Sequence, residues 1–298
     1  MKLKLYEWMV KPTPQTEWIE KRGILLWLAF YVGGLGGGVY LVSLYFHSLV
    51  GILISWLIVV VLKGGFHILY LGHPWRFWRM FLRPQSSWIS RGLFFVVVFI
   101  GLVFIQLLLA YFKPGTGIET VVAVLAVFMA VGMSIYTGFV MNYVNGIQFW
   151  TSSLIPFLFL LCGVLGGFGV VLGIANIAGG IDIMAVETGS MILMIVMAGL
   201  IVIYLTSARY LGPAGKESVL TLVKGEVAPV FWIGVVLCGI VIPFIVSITS
   251  LPGGHPSVGI QIFAILCEIT GGLTLRYSIL KGGFYSPLIP VSSLTSSS

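Results

Sequence analysis

The chain has 298 residues, of which 59% are apolar and only 8% charged, with 16 Lys and Arg against 9 Asp and Glu and a mean hydropathy of +1.10. A water-soluble domain carries about 25% charged residues, so this composition excludes an ordinary globular enzyme, a disordered segment and a nucleic-acid binder. The +7 balance is therefore read as an orientation signal of a membrane protein, with Lys and Arg retained on one side of the bilayer.

A bilayer core needs roughly 20 apolar residues per helix. Eight runs of that size can be cut at polar or Pro/Gly punctuation, at approximately 24–47, 50–71, 91–112, 118–142, 152–174, 188–210, 227–249 and 258–280. The pattern predicts an all-α integral membrane protein, a single polytopic domain over 1–298. The first run starts too late and is too long for a signal-peptide core, and it lacks a small-residue cleavage pattern, so it is expected to stay as a helix. The longest connections, 71–90 and 211–226, are shorter than any compact domain.

Along the chain, Gly33, Gly34, Gly36, Gly37 and Gly38 crowd the first span, and Gly163, Gly166, Gly167, Gly169 and Gly173 crowd the fifth. Such small-x-x-x-small spacings let helix backbones approach closely. Their recurrence fits either a duplication into two four-helix halves or the close contacts that any bundle needs. The second span carries Lys63 and, four residues on and hence on the same face, His67. Ionisable groups inside a span are costly and functional candidates by default. At about 1.5 Å per residue, His67 lies roughly 6 Å and Lys63 roughly 12 Å below the end of that helix.

The next segment, Leu71 to Gly92, is the most distinctive. Trp75, Phe77, Trp78 and Phe81 alternate with His73, Arg76, Arg79, Arg83 and Arg91, and Trp88 and Ser90 follow. This spacing suits an interfacial amphipathic stretch, a docking rim for another subunit, or both, and Ser90 is placed to cap the third helix. Near the end of the fourth span, Tyr136 falls about 9 Å beneath the same face. A phenol at that depth is either an interfacial belt residue or, with His67, a pair able to hold the carbonyls of a quinone and supply its protons. In the eighth span Glu268 lies about 12 Å beneath that face, level with Lys63. The two fit a structural ion pair, a snorkelling lysine or a proton-transfer role.

With eight spans both ends share a face, and fourteen of the sixteen Lys and Arg, Arg276 among them, fall on it. Lys113 lies on the other side with Glu119, Asp182 and Glu187, and Lys63 lies inside a span. By the positive-inside rule the basic face and both termini are cytoplasmic, although a basic face also suits an acidic partner. Cys162, Cys238 and Cys267 stand singly in apolar runs, which argues against a zinc site, an iron–sulfur cluster or a disulfide framework. His47, His67, His73 and His255 do not share a depth, which argues against bis-histidine haem.

At the 71–92 loop the sequence resembles the NrfD/PsrC family, the eight-helix membrane subunits of polysulfide reductase and related molybdopterin and iron–sulfur oxidoreductases. The family pattern L-G-R-P-x-R-F-W, then R-P-x-S-S-W-I-S-R-G, is matched here by Leu71 to Trp78 and Arg83 to Gly92, departing at His73. The Gly-rich first span, Tyr136-Thr137-Gly138, and Gly271 to Tyr277 are similar to family members too. The resemblance implies two four-helix bundles and a quinone site, menaquinone-type, in which Tyr136 contacts the ring. The family's polar contacts at the start of the first helix correspond here to apolar Leu25, Leu26 and Ala29. Implied partners are a ferredoxin-like subunit with [4Fe-4S] clusters and a molybdopterin catalytic subunit, and no metal in this chain.

The expected function is thus a subunit of the cell membrane that anchors a multi-subunit oxidoreductase and passes electrons between quinone and the partner's clusters. Tyr136 and His67 bind the head group, Lys63 and Glu268 relay protons or pair, and His73, Arg76, Arg79, Arg83, Trp88 and Arg91 support the site and its partner. The rivals are a secondary transporter built from repeats and a haem b-type quinol anchor. Transporters of the former kind have helices broken at mid-depth, and here only Pro156 and Pro243 interrupt spans.

Overall fold

A computed structural model of the chain describes residues 7–250 and 256–289; Lys2, Lys4 and His255 lie outside them. Among the described residues, eight helices are long and apolar enough to cross a membrane: α1 Gly23–Tyr45, α2 Leu49–Tyr70, α3 Trp88–Phe112, α4 Gly117–Asn142, α5 Leu154–Ala178, α6 Ile183–Arg209, α7 Val230–Ser250 and α8 Val258–Lys281. The chain is a multi-pass membrane protein, as its composition predicts.

Capping side chains explain where the helix ends depart from the sequence reading. Ser87, not Ser90, caps α3: its side chain accepts from the Ser90 backbone N–H at 3.4 Å, and Ser90 is buried one turn inside. Asp182 accepts from Ala185 N–H at 3.2 Å and so starts α6 at Ile183, earlier than expected. Both are N-caps satisfying amides that have no partner in the first turn. The two long connections also carry helix, a 3-10 segment over Pro74–Leu82 and an α-helix over Pro213–Val223 that buries Ala214, Ser218 and Leu222.

Two short strands fix the chain's flanks to one face. β1, Thr13–Pro14, pairs antiparallel with β2, Phe284–Tyr285, and Ser286 N–H donates to Gly146 O at 2.8 Å in the α4–α5 connection. An even number of crossings requires this arrangement.

Among the described residues the interior has two large cores and a small third one, Val42, Val171, Leu172 and Val186, between α1, α5 and α6. Phe99, Val103, Ala126, Met133 and Tyr136 of α3 and α4 pack with Ile52 and Val59 of α2. Leu158, Phe159, Met197, Val235 and Leu275 of α5 to α8 form the other. α1 belongs to both, giving Phe30 and Tyr40 to the first core and Tyr31, Leu35 and Val39 to the second. This is the expected pair of four-helix bundles, with α1 at the seam.

The glycines of α1 explain how one helix serves so many neighbours. A Cβ at Gly36 would strike Val59 of α2, at Gly37 Ser134 of α4, and at Gly38 the backbone of Gly163 in α5. In return, a Cβ at Gly163 would strike the Gly34 carbonyl, and one at Gly167 the Gly38 carbonyl. Two bare helix faces thus meet backbone to backbone, the contact that drives association where lipid supplies no hydrophobic force.

α2 and α7 are continuous but irregular, being π-helical over Ile58–Lys63 and Val230–Val241. Such widened turns cluster at functional positions, and the first ends on Lys63.

Overpacking a tight contact costs about 1–3 kcal/mol. Gly38→Ala should therefore lower the midpoint of thermal unfolding in detergent by several degrees, whereas Gly101→Ala, whose Cβ enters open space, should leave it unchanged. Equal midpoints for the two variants would contradict the seam.

Candidate functional site

Beneath the basic face, α1 to α4 enclose a cavity of about 460 Å³, within the usual range for small-molecule sites. Its walls are Leu26 and Phe30 of α1, Lys63, Gly64, His67 and Ile68 of α2, Leu93, Val96 and Ile100 of α3, and Tyr136 and Val140 of α4. Phe77 and Met80 of the 3-10 segment form the roof, and Glu17 and Trp18 close the side before α1. Apart from Glu17 and Tyr70, the lining is apolar except at one end.

Three sequence-predicted groups meet at that end. Lys63 Nζ donates to Tyr136 Oη at 3.2 Å and to Ala29 O at 3.3 Å. The His67 ring Nδ1 lies 3.0 Å from Lys63 O. Because a carbonyl only accepts, Nδ1 carries the proton, and Nε2 is the acceptor of the neutral ring. Tyr136 stands edge-on to Phe30, with ring centroids 6.4 Å apart. Gly92 of α3 backs the phenol so closely that a Cβ there would overlap its ring.

Lys63 is 1% exposed, and a buried ammonium must be matched by acceptors. Its reach to α1 exists because Gly33 has no side chain, since a Cβ there would collide with Lys63 Nζ. One residue on, the same device serves a second cation. Arg276, expected on the basic face, is also 1% exposed. Its guanidinium donates to Phe30 O and to Phe159 O at 3.1 Å, lies 4.4 Å from the Phe159 ring centroid, and occupies the space a Gly34 side chain would take. The charge pattern alone could not distinguish a helix-end arginine that snorkels outward from one folded inward.

Of the alternatives open to Glu268 and Lys63, the ion pair is not formed. Glu268 belongs to the second bundle, where Ser190 Oγ donates to Oε1 at 3.3 Å, and it lines a small separate space of about 20 Å³ with Cys162, Gly271 and Gly272. Matching depth in one chain is no guarantee of a shared wall. Glu187, expected at the opposite surface, is buried in the same bundle and accepts from Ser250 Oγ at 2.9 Å and Gln261 Nε2 at 3.4 Å.

In the arginine loop the residues divide. His73, Arg76, Arg79 and Arg83 are exposed. Arg91 instead holds the loop, donating from Nε to Pro84 O at 2.8 Å and from Nη2 to Gln85 O at 2.7 Å, with its guanidinium 4.5 Å from the Trp88 ring centroid. Trp88 in turn stacks on Phe139 of α4 at 4.4 Å. These two shape the roof of the cavity. The contributions of Glu17, Trp18 and Phe77 to the cavity are not readable from periodicity, because they come from segments between spans.

The family described as polysulphide reductase, NrfD, matches residues 21–287, which includes every wall of the cavity except Glu17 and Trp18. The chain belongs to the NrfD family. Its relatives include an NrfD homolog of Haemophilus influenzae, 25% identical over 243 residues that cover 72% of this chain and 76% of that protein. Protein NrfD of Escherichia coli is 27% identical over 250 residues, again 72% and 76% of the two proteins. A polysulfide reductase chain of Wolinella succinogenes is 24% identical over 169 residues, 52% of this protein and 51% of that one. Among the described residues no three His, Cys, Asp or Glu side chains gather as a metal-ligand set.

A methyl at position 92 has no room beside the Tyr136 ring. Gly92→Ala should displace the phenol from Lys63, to be seen as a loss of the 3.2 Å contact in a structure of the variant and as a lower unfolding midpoint. An unmoved ring would contradict the packing described.

Proposed function

We propose that this chain is the membrane anchor and quinone-reactive subunit of a multi-subunit oxidoreductase, exchanging electrons between quinone in the bilayer and a partner carrying iron–sulfur clusters. The observation that carries the reading is the meeting of Tyr136 Oη and Lys63 Nζ at the polar end of an apolar cavity that lies just below an arginine-bearing surface. Reduction of a quinone takes up two electrons and two protons, and its ring carries one carbonyl at each end. Tyr136 donates a hydrogen bond to one carbonyl, and the unprotonated Nε2 of His67, on the α2 wall, accepts from the hydroxyl that the other oxygen carries in the quinol. Lys63 stands behind the phenol as the neighbouring proton donor, and the dry lining strengthens each of these contacts. The cavity volume and its donors suit a ring of the menaquinone type.

The exposed His73, Arg76, Arg79 and Arg83 form a surface for an acidic partner, a ferredoxin-like subunit with [4Fe-4S] clusters, with a molybdopterin subunit beyond it. One relative is named as a single chain of polysulfide reductase, which supports membership of such an assembly. The basic face lies in the cytoplasm of a cell-membrane protein by the positive-inside rule. Glu268, outside the cavity, is a proton-binding group of the second bundle and acts apart from the ring.

In the assembled complex, Tyr136→Phe should reduce quinol-linked turnover about tenfold, the scale of one lost hydrogen bond in a dry site, while dye-linked turnover of the partner subunits is unchanged. Unaltered quinol turnover would remove Tyr136 from the site. Reversing charge in the double variant Arg76→Glu, Arg79→Glu should release the partner at lower salt than the parent protein requires, and release at equal salt would place the docking surface elsewhere.

A further inference from the structure

The polar end of the cavity lies away from water. Lys63 is 1% exposed and gives its hydrogen bonds to Ala29 O and Tyr136 Oη, and the half-buried His67 ring donates from Nδ1 to Lys63 O. A quinone ring held there gains or loses two protons with its two electrons, so a further group must pass protons between this end and the aqueous phase. The wall itself supplies it. Of the titratable side chains that line the cavity, only Glu17 and Tyr70 are exposed. Tyr70 stands one turn beyond His67 on the same face of α2, so this wall climbs from the imidazole to the basic surface. Glu17 lies in the segment before α1, at that surface.

Local hydrogen bonds fix Glu17 in place. Gln15, 1% exposed, donates from Nε2 to Leu280 O near the end of α8 and accepts from Trp18 N–H at 3.2 Å. Glu20 N–H donates to Thr16 O at 2.9 Å and closes a turn around Glu17. A Cβ at Gly23 would overlap the Glu17 carbonyl, so the turn rests on the first residue of α1. From this turn a row of rings runs inward, Trp18 to Phe30 at 6.2 Å and Phe30 to Tyr136 at 6.4 Å between centroids. Glu20 of the same turn is paired with Lys281 at 3.6 Å and is no part of the wall. Glu17 is part of it, and its titratable neighbour outside the wall is Tyr285 of β2.

We infer that Glu17 is the proton-transfer residue that links the quinone ring to water at the basic face. The inference rests on the quinone reading above and adds the route of the substrate's protons. When a quinol gives two electrons to the partner's clusters, both of its O–H bonds break and two protons leave. His67 Nε2 takes the one from the hydroxyl it faces. Water in the space beside the ring carries that proton to the Glu17 carboxyl group, which releases it to the aqueous side. Reduction of a quinone runs the same steps backward. The cavity leaves room for water beside a two-ring head group. The family match covers residues 21–287, so Glu17 belongs to this chain's own flank.

Quinol oxidation by the complete complex tests this. Glu17→Ala should lower kcat about tenfold, less than a group that touches the substrate contributes, and leave KM unchanged. Glu17→Asp should keep most of the parent rate. Sodium acetate should restore the rate of Glu17→Ala where sodium chloride at equal ionic strength does not, because a soluble carboxylate takes the place of the missing one. Glu20→Ala, in the same turn but outside the wall, should behave as the parent. A loss of rate that neither Glu17→Asp nor acetate relieves marks a structural role and overturns the inference. An unchanged kcat in Glu17→Ala, with Tyr136→Phe still slowing turnover, overturns it too and leaves the head site standing. Should Glu17→Ala fail to assemble, Glu17→Gln is compared with Glu17→Asp in the same way. If Tyr136→Phe has no effect, or the parent complex oxidises no quinol, the head site fails and the proton route with it.

Discussion

The architecture depends on one bare stretch of backbone. From Gly33 to Gly38, α1 presents its main chain to four helices, and each close approach uses the absence of a particular Cβ. In hydrocarbon a buried cation needs its acceptors within the protein, and here two cations from opposite bundles find them on consecutive carbonyls. Lys63 of α2 reaches Ala29 O, and Arg276 of α8 reaches Phe30 O. The helix that joins the bundles is therefore also the helix that anchors the charge beside the cavity.

That placement gives the cavity its asymmetry. Lys63, held from behind by α1, is directed at Tyr136, while the remaining walls, Glu17, His67 and Tyr70 apart, are hydrocarbon. A phenol backed by Gly92 and faced by Phe30 has little freedom to turn, so its hydroxyl is held in one direction. Arg91 and Trp88, which lock the roof to α3 and α4, extend the same order to the surface. Rigid support of this kind limits the reorganisation that binding requires.

Much of this was legible in the sequence because a bilayer makes simple demands. Length and hydropathy gave eight spans, and charge asymmetry identified the face on which Arg76, Arg79 and Arg83 are exposed. Depth counting put His67, Tyr136 and Lys63 about 6, 9 and 12 Å beneath one face, and all three line one cavity. The same counting misled for Glu268, because depth fixes one coordinate and leaves the helix neighbours undetermined. Arg276 and Glu187 sit near helix ends, where polar residues ordinarily face water, and only tertiary contacts show that they turn inward. The π-helical turns of α2 have no periodic signature in a run of Ile, Val and Leu. Trp18 reaches the site from a segment that hydropathy treats as a flank.

The central claim is that the space between Tyr136 and His67 holds a quinone ring. A density map of the assembled complex with a bound quinone-site inhibitor tests it most directly. The account predicts the ring inside this cavity, with one carbonyl oxygen in hydrogen-bond contact with Tyr136 Oη and the docked partner covering the arginine loop. A ring bound between helices of the second bundle, with the Tyr136 cavity filled by lipid, would contradict it.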